Sequence, residues 1–427
     1  MNAAPVEHEV RKLDVVLLAL AFVITTIGIL LVFDASYAFA LFHAAAQTKY
    51  VAQQSVWAVI GIAAMLGLSR FPYWKLRRGA AVGLLGCMIA MILVFVPHIG
   101  ITVHASHRWI GHGALRVQPS EFAKFFIVLF IARSCAGNVR IMKHFVTGPG
   151  PGVAATIILA MLTAKEPDLG TALLITFTGA AALFFAGMKW KHMLAMMAVT
   201  LTLVGGVLLV KFEHAKTSND QAGSYQISRI LVFLHPETDI QGFGYQVYHS
   251  MMGIGSGGLT GRGIGEGREK LNLPEAHTDF IFEVVGEEFG LLGTLTTLGI
   301  LFIIVARGMH IACTTRDRFG SLLAAGLSFS LGIQAAVNIG VATGAIPNTG
   351  VPLPFVSYGG SSLLMSLVMV GILLNIGKNP DGDPNIVRVQ PNQRLDRDFS
   401  RRWQTNGALP RRQPNAEQNP YCKPAAG

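Results

Sequence analysis

Ten long apolar stretches constrain this chain more than any other feature of its sequence. A helix needs roughly 20 mostly apolar residues to cross a bilayer core about 30 Å thick, and these stretches come close to that length. A transmembrane β-barrel is excluded, because its strands alternate apolar and polar residues whereas these runs are continuously apolar. We therefore predict an all-α, polytopic integral membrane protein of about ten transmembrane helices, with the spans 14–33, 51–69, 79–96, 121–137, 149–164, 170–188, 193–211, 279–306, 321–343 and 359–377.

The composition supports this fold class. Hydrophobic residues make up 52% of the 427-residue chain and charged residues only 14%, where a soluble protein carries about 25% charged residues. So little polar surface excludes a cytosolic enzyme, a disordered chain and a secreted disulfide scaffold. The first apolar run is also not a cleaved signal peptide, since it is long, ends in Phe33-Asp34 and lacks a small-residue cleavage site.

Lysine and arginine residues predict the orientation of the spans. With the N-terminus placed inside, the inner segments carry fourteen of these residues and the short outer loops four, which fits the positive-inside rule. Both termini are then cytoplasmic, as an even number of helices requires. The predicted regions are a cytoplasmic N-terminus at 1–13, a membrane domain at 14–377 with a large extracytoplasmic loop at 212–278, and a basic, disordered cytoplasmic tail at 378–427.

The net charge of +10 is explained by this orientation signal and by the basic tail. The sequence has no basic groove interleaved with aromatic residues and no helix-turn-helix pattern, so no nucleic-acid partner is predicted. The tail could contact anionic membrane lipid or a cytoplasmic partner, although a merely solvated tail is the favoured interpretation.

Polar side chains at membrane depth mark candidate functional sites, because hydrocarbon rejects them. In the first group, Ser120 is predicted to N-cap a helix that begins near Glu121. Glu121 and Lys124 then lie three residues apart on one face and can pair. The pair can be structural and seat the top of the helix, or it can face a cavity and take part in chemistry; the sequence leaves both interpretations open.

A second group surrounds Asp168, which follows an apolar run and precedes the next span. The favoured interpretation of Asp168 is an N-cap of that span. A third group is the glycine-rich segment 253–267, whose first six residues match G-x-G-x-x-G. That signal is weak without a βαβ unit. Its glycines are predicted to let the backbone approach a ligand closely or bend sharply, with a phosphate-binding nest as a less favoured alternative.

Asp279 lies where the long outer loop becomes an apolar helix. A carboxylate in that position is half desolvated, an environment that suits proton transfer. On position alone, however, an N-cap aspartate is the commoner explanation. Glu283 and Glu287 continue the acidic residues into the span and lie four apart on one face, so we predict that this face lines a polar cavity rather than lipid.

A fourth group, at 343–362, is rich in proline, glycine and hydroxyl residues. Such a sequence at membrane depth predicts a broken or re-entrant segment, which must line protein or water. It carries no charge, so it can shape a site but cannot neutralise a phosphate. All four groups lie on the predicted outer face, and together they suit a substrate that carries sugar hydroxyls and phosphate and arrives through the membrane.

These segments resemble the SEDS family (shape, elongation, division and sporulation). With the spans between them, the resembling motifs cover roughly residues 14–377, and they are RWI…QPSEFAKF, EPDLGTALL, GYQVYHSMMGIGSGGLTGRGIGEG, LPEAHTDFIFEVVGEEFGLLG and AIPNTGVPLPFVSYGGSS. Within the family, GRGIGEGREKLNLPEAHTDF and VVGEE resemble the cell-division branch more than the elongation branch.

The resemblance implies a peptidoglycan glycosyltransferase that polymerises lipid II, an undecaprenyl-diphosphate-linked disaccharide peptide. It would act at the outer face of the bacterial cytoplasmic (inner) membrane during septal cell-wall synthesis. Asp279 matches the family's essential aspartate, which favours a general base over a cap, and Glu121 and Lys124 match its charged pair. The further candidates, for substrate binding, are Arg108, Trp109, Gln118, Asp168, Glu275, His277, Ser357 and Tyr358.

The implied partners are a class B penicillin-binding protein with transpeptidase activity and other divisome proteins. No cofactor is certain, although a divalent cation, Mg or Mn, could bridge the departing diphosphate. Two alternatives stay open: a lipid II flippase or transporter, and the elongation-type polymerase. Transporters usually show internal repeats with sites near the membrane midplane, and this sequence shows no such repeat while its polar groups crowd one face.

Overall fold

The computed structural model describes residues 10–42, 47–97, 100–103, 106–112, 115–137, 148–166, 168–218, 233, 243–273 and 276–384. Residues 9–383 form one structural unit, and helices make up most of it. In chain order the helices are α1 (Val15–Phe42), α2 (Gln47–Arg70), α3 (Leu76–Leu93), α4 (Pro119–Cys135), α5 (Gly150–Lys165), α6 (Leu169–Phe185), α7 (Trp190–Ser218), α8 (Phe243–Ser256), α9 (Ile281–Thr314), α10 (Arg318–Ala342) and α11 (Gly360–Lys378).

These helices coincide with the predicted spans, apart from α8, and confirm a helical, polytopic membrane protein. Within the described ranges, 7 helices are long and apolar enough to cross a membrane. The shorter helices α4, α5 and α6 have 17, 16 and 17 residues, so the total of ten crossings stays a prediction. Helices α1 and α9 run past their apolar stretches, because hydropathy marks the part inside lipid and not the end of helical hydrogen bonding.

Helices α10 and α11 form the centre of the bundle. Most of the residues in their spans are buried, whereas fewer than a third are buried in the spans of α2, α3 and α7. Helix α11 packs along α2, and α10 packs against α4, α6 and α9. The peripheral helices turn large apolar side chains away from the protein, among them Val59, Val82, Leu85 and Leu209. Helix faces of this kind suit contact with lipid.

A three-stranded antiparallel sheet joins α3 to α4 and was not predicted from the sequence. Its strands are β1 (Gly100–Val103), β2 (Ser106–His112) and β3 (Leu115–Val117), in the order β1-β2-β3. Trp109 of β2 pairs with Ile101, and Ile110 pairs with Val117. Isoleucine, valine and tryptophan favour strands, but each run is too short to be distinguished from a loop in the sequence. The sheet adds a small element to the helical fold.

The two ends of the membrane domain lie on the same side. Arg11 N, before α1, donates a hydrogen bond to Lys378 O at the end of α11, at 2.9 Å. The connection from α9 to α10 lies there as well, since Asp317 N donates to Pro380 O at 3.1 Å. The arrangement agrees with two termini on one side. That this side is the cytoplasm stays a prediction, and the tail beyond residue 384 lies outside the described residues.

The large loop predicted over 212–278 is partly helical. Helix α7 continues to Ser218, and α8 lies inside the loop, because the residues that follow the apolar run still permit helical backbone. Most of the segment between these helices, 219–232 and 234–242, lies outside the described residues. The loop therefore begins later in the chain than hydropathy predicts.

The segment that follows α8, residues 257–271, docks on α9, and we call it the docked glycine-rich segment. Gly290 of α9 has a φ of +63°, a left-handed conformation that glycine adopts without strain and that interrupts the helix. Leu291 N, beside this interruption, donates to Gly258 O of the segment at 2.9 Å, and Arg262 N donates to Glu287 O at 3.0 Å. Gly258, Gly261, Gly263 and Gly265 of the segment also have positive φ, so sharp bending is one use of these glycines, and Gly261 packs against the backbone of α9.

The acidic face of α9 is turned away from lipid, as predicted, but at Glu287 it is covered by the docked segment and does not line a polar cavity. The Glu287 carboxylate accepts hydrogen bonds from Arg268 N at 2.8 Å and from Glu269 N at 3.0 Å, and it lies 3.3 Å from Arg262 Nη1. Glu283 is also fully buried. The physical reason is that the docked segment brings its own backbone N–H groups and a cation to this face, which sequence spacing alone does not reveal.

Candidate active site

The sheet and α4 position the first group of predicted residues. Arg108 and Trp109 lie on β2, and Gln118 is the extended residue that joins β3 to α4. Gln118 N donates to Ser361 Oγ of α11 at 3.0 Å, which fixes this junction to the centre of the bundle. The Arg108 side chain is 20% exposed, and its Nε donates to Glu166 O at 3.2 Å.

Asp168 N-caps α6, as predicted. Its Oδ1 accepts from Thr171 N at 3.1 Å, and its Oδ2 accepts from Thr171 Oγ1 at 2.9 Å. The same Oδ2 accepts from Gln118 Nε2 at 3.1 Å and lies 3.8 Å from Arg108 Nη1. Three residues predicted for substrate binding therefore meet at one place, and we call Arg108, Gln118 and Asp168 the arginine cluster.

Glu166 lies beside the arginine cluster and was missed from the sequence. Its side chain is fully buried, and neither carboxylate oxygen has a hydrogen-bond partner among the described residues. Burial, and then the charge of Asp168, raise the pKa of Glu166 to about 9, while Arg108 acts in the opposite direction. The carboxyl is therefore protonated at neutral pH. Its position directly after an apolar run was the signal that could have identified it.

The predicted pair of Glu121 and Lys124 is present in the structure. Lys124 Nζ lies 2.8 Å from Glu121 Oε1, and the lysine is 1% exposed. Lys124 Nζ also donates to Gln334 Oε1 of α10 at 2.6 Å. The ammonium group is thus shared by two oxygen acceptors inside the bundle, which is the arrangement that makes a buried charge tolerable. Whether the pair takes part in chemistry stays a prediction.

Ser120 does not cap α4, so that prediction is wrong. The helix begins at Pro119, so Ser120 is already inside it. Ser120 Oγ is buried without a hydrogen-bond partner among the described residues. Proline suits the first helical position because it has no N–H that needs an acceptor. Gln118, which occupies the capping position, is held extended at the end of β3.

Two buried amides on α10 connect separate parts of the site. Gln334 and Asn338 lie one helical turn apart and are almost fully buried. Gln334 Nε2 donates to Pro352 O at 3.0 Å, and Asn338 Nδ2 donates to Val351 O at 2.8 Å. The role of Gln334 was missed from the sequence, although two amides four residues apart in an apolar span were the available signal.

Asp279 lies in the turn before α9 and does not cap that helix. The capping position is Phe280, and α9 has no side-chain cap. The main-chain oxygen of Asp279 accepts a hydrogen bond from Asn338 Nδ2 at 2.8 Å, so α10 fixes the backbone of this residue. The side chain is half buried. The structure therefore does not support the capping interpretation of Asp279.

An aromatic group adjoins this turn. Tyr358 N donates to His277 O at 2.9 Å. The ring centroid of Tyr50 lies 4.8 Å from that of His277 and 5.3 Å from that of Tyr358. The hydroxyl of Tyr358 donates to Gln53 of α2. Burial lowers the pKa of His277 to about 4, and burial together with Tyr50 raises the pKa of Tyr358 to about 12. Both side chains are therefore neutral at pH 7.

Two further predicted residues have different outcomes. Ser357 is buried, and its Oγ accepts a hydrogen bond from Leu353 N at 2.7 Å, so the hydroxyl closes a turn inside the loop between α10 and α11. Its role in substrate binding stays a prediction. Glu275 lies outside the described residues.

The loop between α10 and α11, residues 343–359, meets all the groups above, and we call it the central loop. Gly170, near the start of α6, packs so closely on it that a methyl group in place of the glycine hydrogen would lie 2.5 Å from Thr349 O. Val351 is linked through Asn338 to Asp279, and Pro352 is linked through Gln334 to Lys124. An uncharged loop thus connects the arginine cluster, the aspartate and the buried pair.

Comparison with known proteins identifies the same group of sequences. The model of a family described as "Cell cycle protein", which carries the names FtsW, RodA and SpoVE, matches residues 14–381. The "Probable peptidoglycan glycosyltransferase FtsW" of Geobacter metallireducens is 37% identical over 377 residues, covering 88% of this chain and 97% of that protein. Stage V sporulation protein E of Bacillus subtilis is 34% identical over 366 residues, covering 86% and 97%.

Solved structures agree with the sequence comparison. A chain described under "Structural coordination of polymerization and crosslinking by a peptidoglycan synthase complex" superposes with a TM-score of 0.67 at 27% identity, covering 87% of this chain and 99% of that chain. Rod shape determining protein RodA of Thermus thermophilus superposes with a TM-score of 0.62 at 25% identity and the same coverage. The chain belongs to the FtsW, RodA and SpoVE family, the SEDS family that its motifs resemble.

Proposed function

We propose that this protein is a peptidoglycan glycosyltransferase that polymerises lipid II at the outer face of the bacterial cytoplasmic membrane, with Asp279 as general base. The observation that carries the proposal is the central loop, which connects Asp279 to the arginine cluster and to the buried pair. A site that needs a base, a cation and an uncharged surface for sugar finds all three around this loop. The FtsW-named relatives support the same activity.

The reaction joins an α-linked donor sugar to an acceptor with a β-1,4 bond, so it inverts the donor carbon in one displacement. The acceptor 4-oxygen forms the new bond to that carbon, the bond from the carbon to the diphosphate breaks, and the hydroxyl proton passes to the Asp279 carboxylate. A positioned base of this kind contributes about 10²–10⁴-fold in rate. Asp279 suits this role because its backbone is held by Asn338 and its carboxyl does not cap α9.

Arg108 is the residue that we assign to the departing diphosphate. Its side chain is partly exposed, and a guanidinium binds phosphate oxygens with two parallel donors. Glu166 beside it is protonated and adds no negative charge, and Arg108 Nε donates to the main-chain oxygen of Glu166 at 3.2 Å, which helps to orient the guanidinium. Lys124 is a weaker candidate for the same task, because its ammonium group is buried between Glu121 and Gln334. We assign Lys124 to holding α4 against α10.

The predicted divalent cation, Mg or Mn, does not find a ready set of protein ligands. Among the described residues, no three His, Cys, Asp or Glu side chains are grouped so that they could hold a metal ion. Magnesium commonly keeps several waters and binds through one or two carboxylates together with substrate phosphates. The mechanism proposed above uses only side chains of this chain.

The partners and the location are also part of the proposal. A solved relative comes from a complex that coordinates polymerization and crosslinking, which supports a class B penicillin-binding protein as the partner that crosslinks the new glycan. The FtsW-named relatives favour the cell-division role, at the septum and with other divisome proteins, over the elongation role.

Purified protein incubated with lipid II in detergent tests the proposal. Polymerised glycan is expected, with more product when the crosslinking partner is added. A flippase makes no product under these conditions, because a micelle has no two sides to flip across. The Asp279→Asn variant should fold and insert normally but lose polymerisation. Full polymerising activity in Asp279→Asn would exclude it as the base, and absence of product from the parent protein together with the partner would overturn the proposed activity.

A further inference from the structure

The amides of Gln334 and Asn338 bind two consecutive peptide groups of the central loop. Asn338 Nδ2 donates to Val351 O at 2.8 Å, and Gln334 Nε2 donates to Pro352 O at 3.0 Å. Pro352 has no N–H, so a regular ladder of backbone hydrogen bonds cannot form at this point. Side chains of α10 therefore supply hydrogen bonds to loop carbonyl groups that the loop backbone itself does not satisfy.

Each amide also reaches one half of the proposed site. Asn338 uses the same Nδ2 to bind Asp279 O at 2.8 Å. Gln334 uses its Oε1 to accept from Lys124 Nζ at 2.6 Å. Because the two amides lie one turn apart on one rigid helix, a shift of the loop at Val351 and Pro352 would move the environment of Asp279 and of Lys124 together.

Burial makes the loss of either of these hydrogen bonds unfavourable. Asn338 is fully buried and Gln334 is 3% exposed, so water cannot replace a lost donor without entering the bundle. A buried carbonyl left without its donor is unfavourable, and the chain would shift to find another partner. A shift of the Asp279 main chain would move its carboxyl group relative to the acceptor 4-hydroxyl.

We infer that Asn338 is a positioning residue for Asp279, and that Asn338 and Gln334 couple this aspartate to the buried Glu121–Lys124 pair through the backbone of Val351 and Pro352. The inference rests on the proposed function, because it concerns the geometry of the same reaction. Asn338 does not touch the substrate in this account. It acts only through the main chain of Asp279.

The test uses the full-length protein with its crosslinking partner and purified lipid II. Asn338→Ala should lower kcat about 10- to 100-fold, since small misplacements of a catalytic group have effects of that size. KM should change little, because the loss concerns the reacting geometry and not the binding of substrate. Asn338→Ser, which keeps one hydroxyl donor, should recover part of kcat. Unchanged kcat in Asn338→Ala, or a change confined to KM, would overturn the positioning role.

A double variant tests the coupling. If Asn338 and Gln334 acted independently, Asn338→Ala with Gln334→Ala would lose the product of the two single losses in kcat. Coupling through one backbone pair predicts a loss close to that of the more damaging single variant. A loss equal to the product would overturn the coupling. Should Gln334→Ala fail to fold, Gln334→Glu, which keeps its size and an acceptor for Lys124, takes its place in the cycle.

A matched control lies on the same helix. Ser328 of α10 is buried, and its Oγ donates to Ala324 O at 2.7 Å within the helix itself. Ser328→Ala should leave kcat and KM unchanged, which separates loss of a loop contact from general disturbance of α10. Asp279→Asn is assayed alongside. Loss of activity there with normal kcat in Asn338→Ala would refute only the present inference, whereas full activity in Asp279→Asn would refute the proposed base.

Discussion

Two groups of carboxylates lie near the start of α9, and they are used differently. Glu287 and Glu288 bind the docked glycine-rich segment: Glu287 accepts from two backbone N–H groups, and Glu288 Oε1 lies 2.5 Å from Lys270 Nζ. Asp279, only a few residues earlier in the chain, is fixed through its main chain, and its carboxyl does not cap the helix. Acidic residues whose oxygens bind a docked segment or a buried partner side chain build structure, whereas Asp279, fixed through its main chain in the turn before α9, is placed for chemistry.

The buried pair belongs with the structural acids by this criterion, which predicts the largest effect on stability. Lys124→Met leaves Glu121 as an unpaired buried charge and removes the donor to Gln334. Breaking a buried pair costs about 3–5 kcal/mol. Thermal unfolding in detergent should show this loss, and the double variant Glu121→Gln with Lys124→Met should recover most of it.

A charge-preserving exchange, Glu121→Lys with Lys124→Glu, then separates support from chemistry. The exchanged pair places a carboxylate beside Gln334, whose amide must turn to donate and so gives up a contact to Pro352 or Ser362. Stability should recover partly while polymerisation stays low. Full recovery of both would contradict the assignment of Lys124 to holding α4 against α10 through Gln334.

Glu287 predicts a smaller effect of the same kind. In Glu287→Gln the side-chain amide keeps only one oxygen acceptor, so one of the backbone N–H groups of Arg268 and Glu269 faces an N–H group and lacks an acceptor. The expected loss is about 1–3 kcal/mol, read as a lower unfolding temperature and as faster proteolysis of the glycine-rich segment. Lipid II polymerisation per folded molecule should change little. A Glu287→Gln protein that is fully stable but does not polymerise lipid II would contradict the structural role of Glu287.

Glu166 sharpens the comparison through pH, because its effect is read as a slope of stability against pH and not as a loss at one pH. Its pKa of about 9 lies above the ordinary value of 4.5, so between these values the folded protein holds a proton that the unfolded chain releases. The stability from this proton is complete below pH 4.5 and is lost as pH rises towards 9, by up to about 1.4 kcal/mol per pH unit. Glu166→Gln removes this dependence. Parallel stability curves for parent and variant between pH 5 and 8 would contradict the raised pKa.

Local patterns in the sequence predicted the local features of the structure. The apolar runs predicted the helices, the spacing of Glu121 and Lys124 predicted their pair, and the place of Asp168 before a span predicted its cap. Each of these depends on residues a few positions apart, where helical geometry fixes which side chains meet.

Features that join distant segments could not be predicted in the same way. The donors that bind Glu287 come from a segment about 20 residues away, and Gln334 meets Lys124 across 210 residues of chain. Nothing in the spacing of either residue indicates the partner. The contact that fixes the backbone of Asp279 likewise comes from another helix, through Asn338, and no local pattern indicates it.

One assay tests the central claim most directly: the rate of lipid II polymerisation and the unfolding temperature measured together for the parent, Asp279→Asn and Glu287→Gln. We expect Asp279→Asn to unfold at the parent temperature and to make no polymer. We expect Glu287→Gln to unfold at a lower temperature and still to make polymer. The reverse result, an active Asp279→Asn protein beside a stable but inactive Glu287→Gln protein, would place the chemistry on α9 and contradict the account.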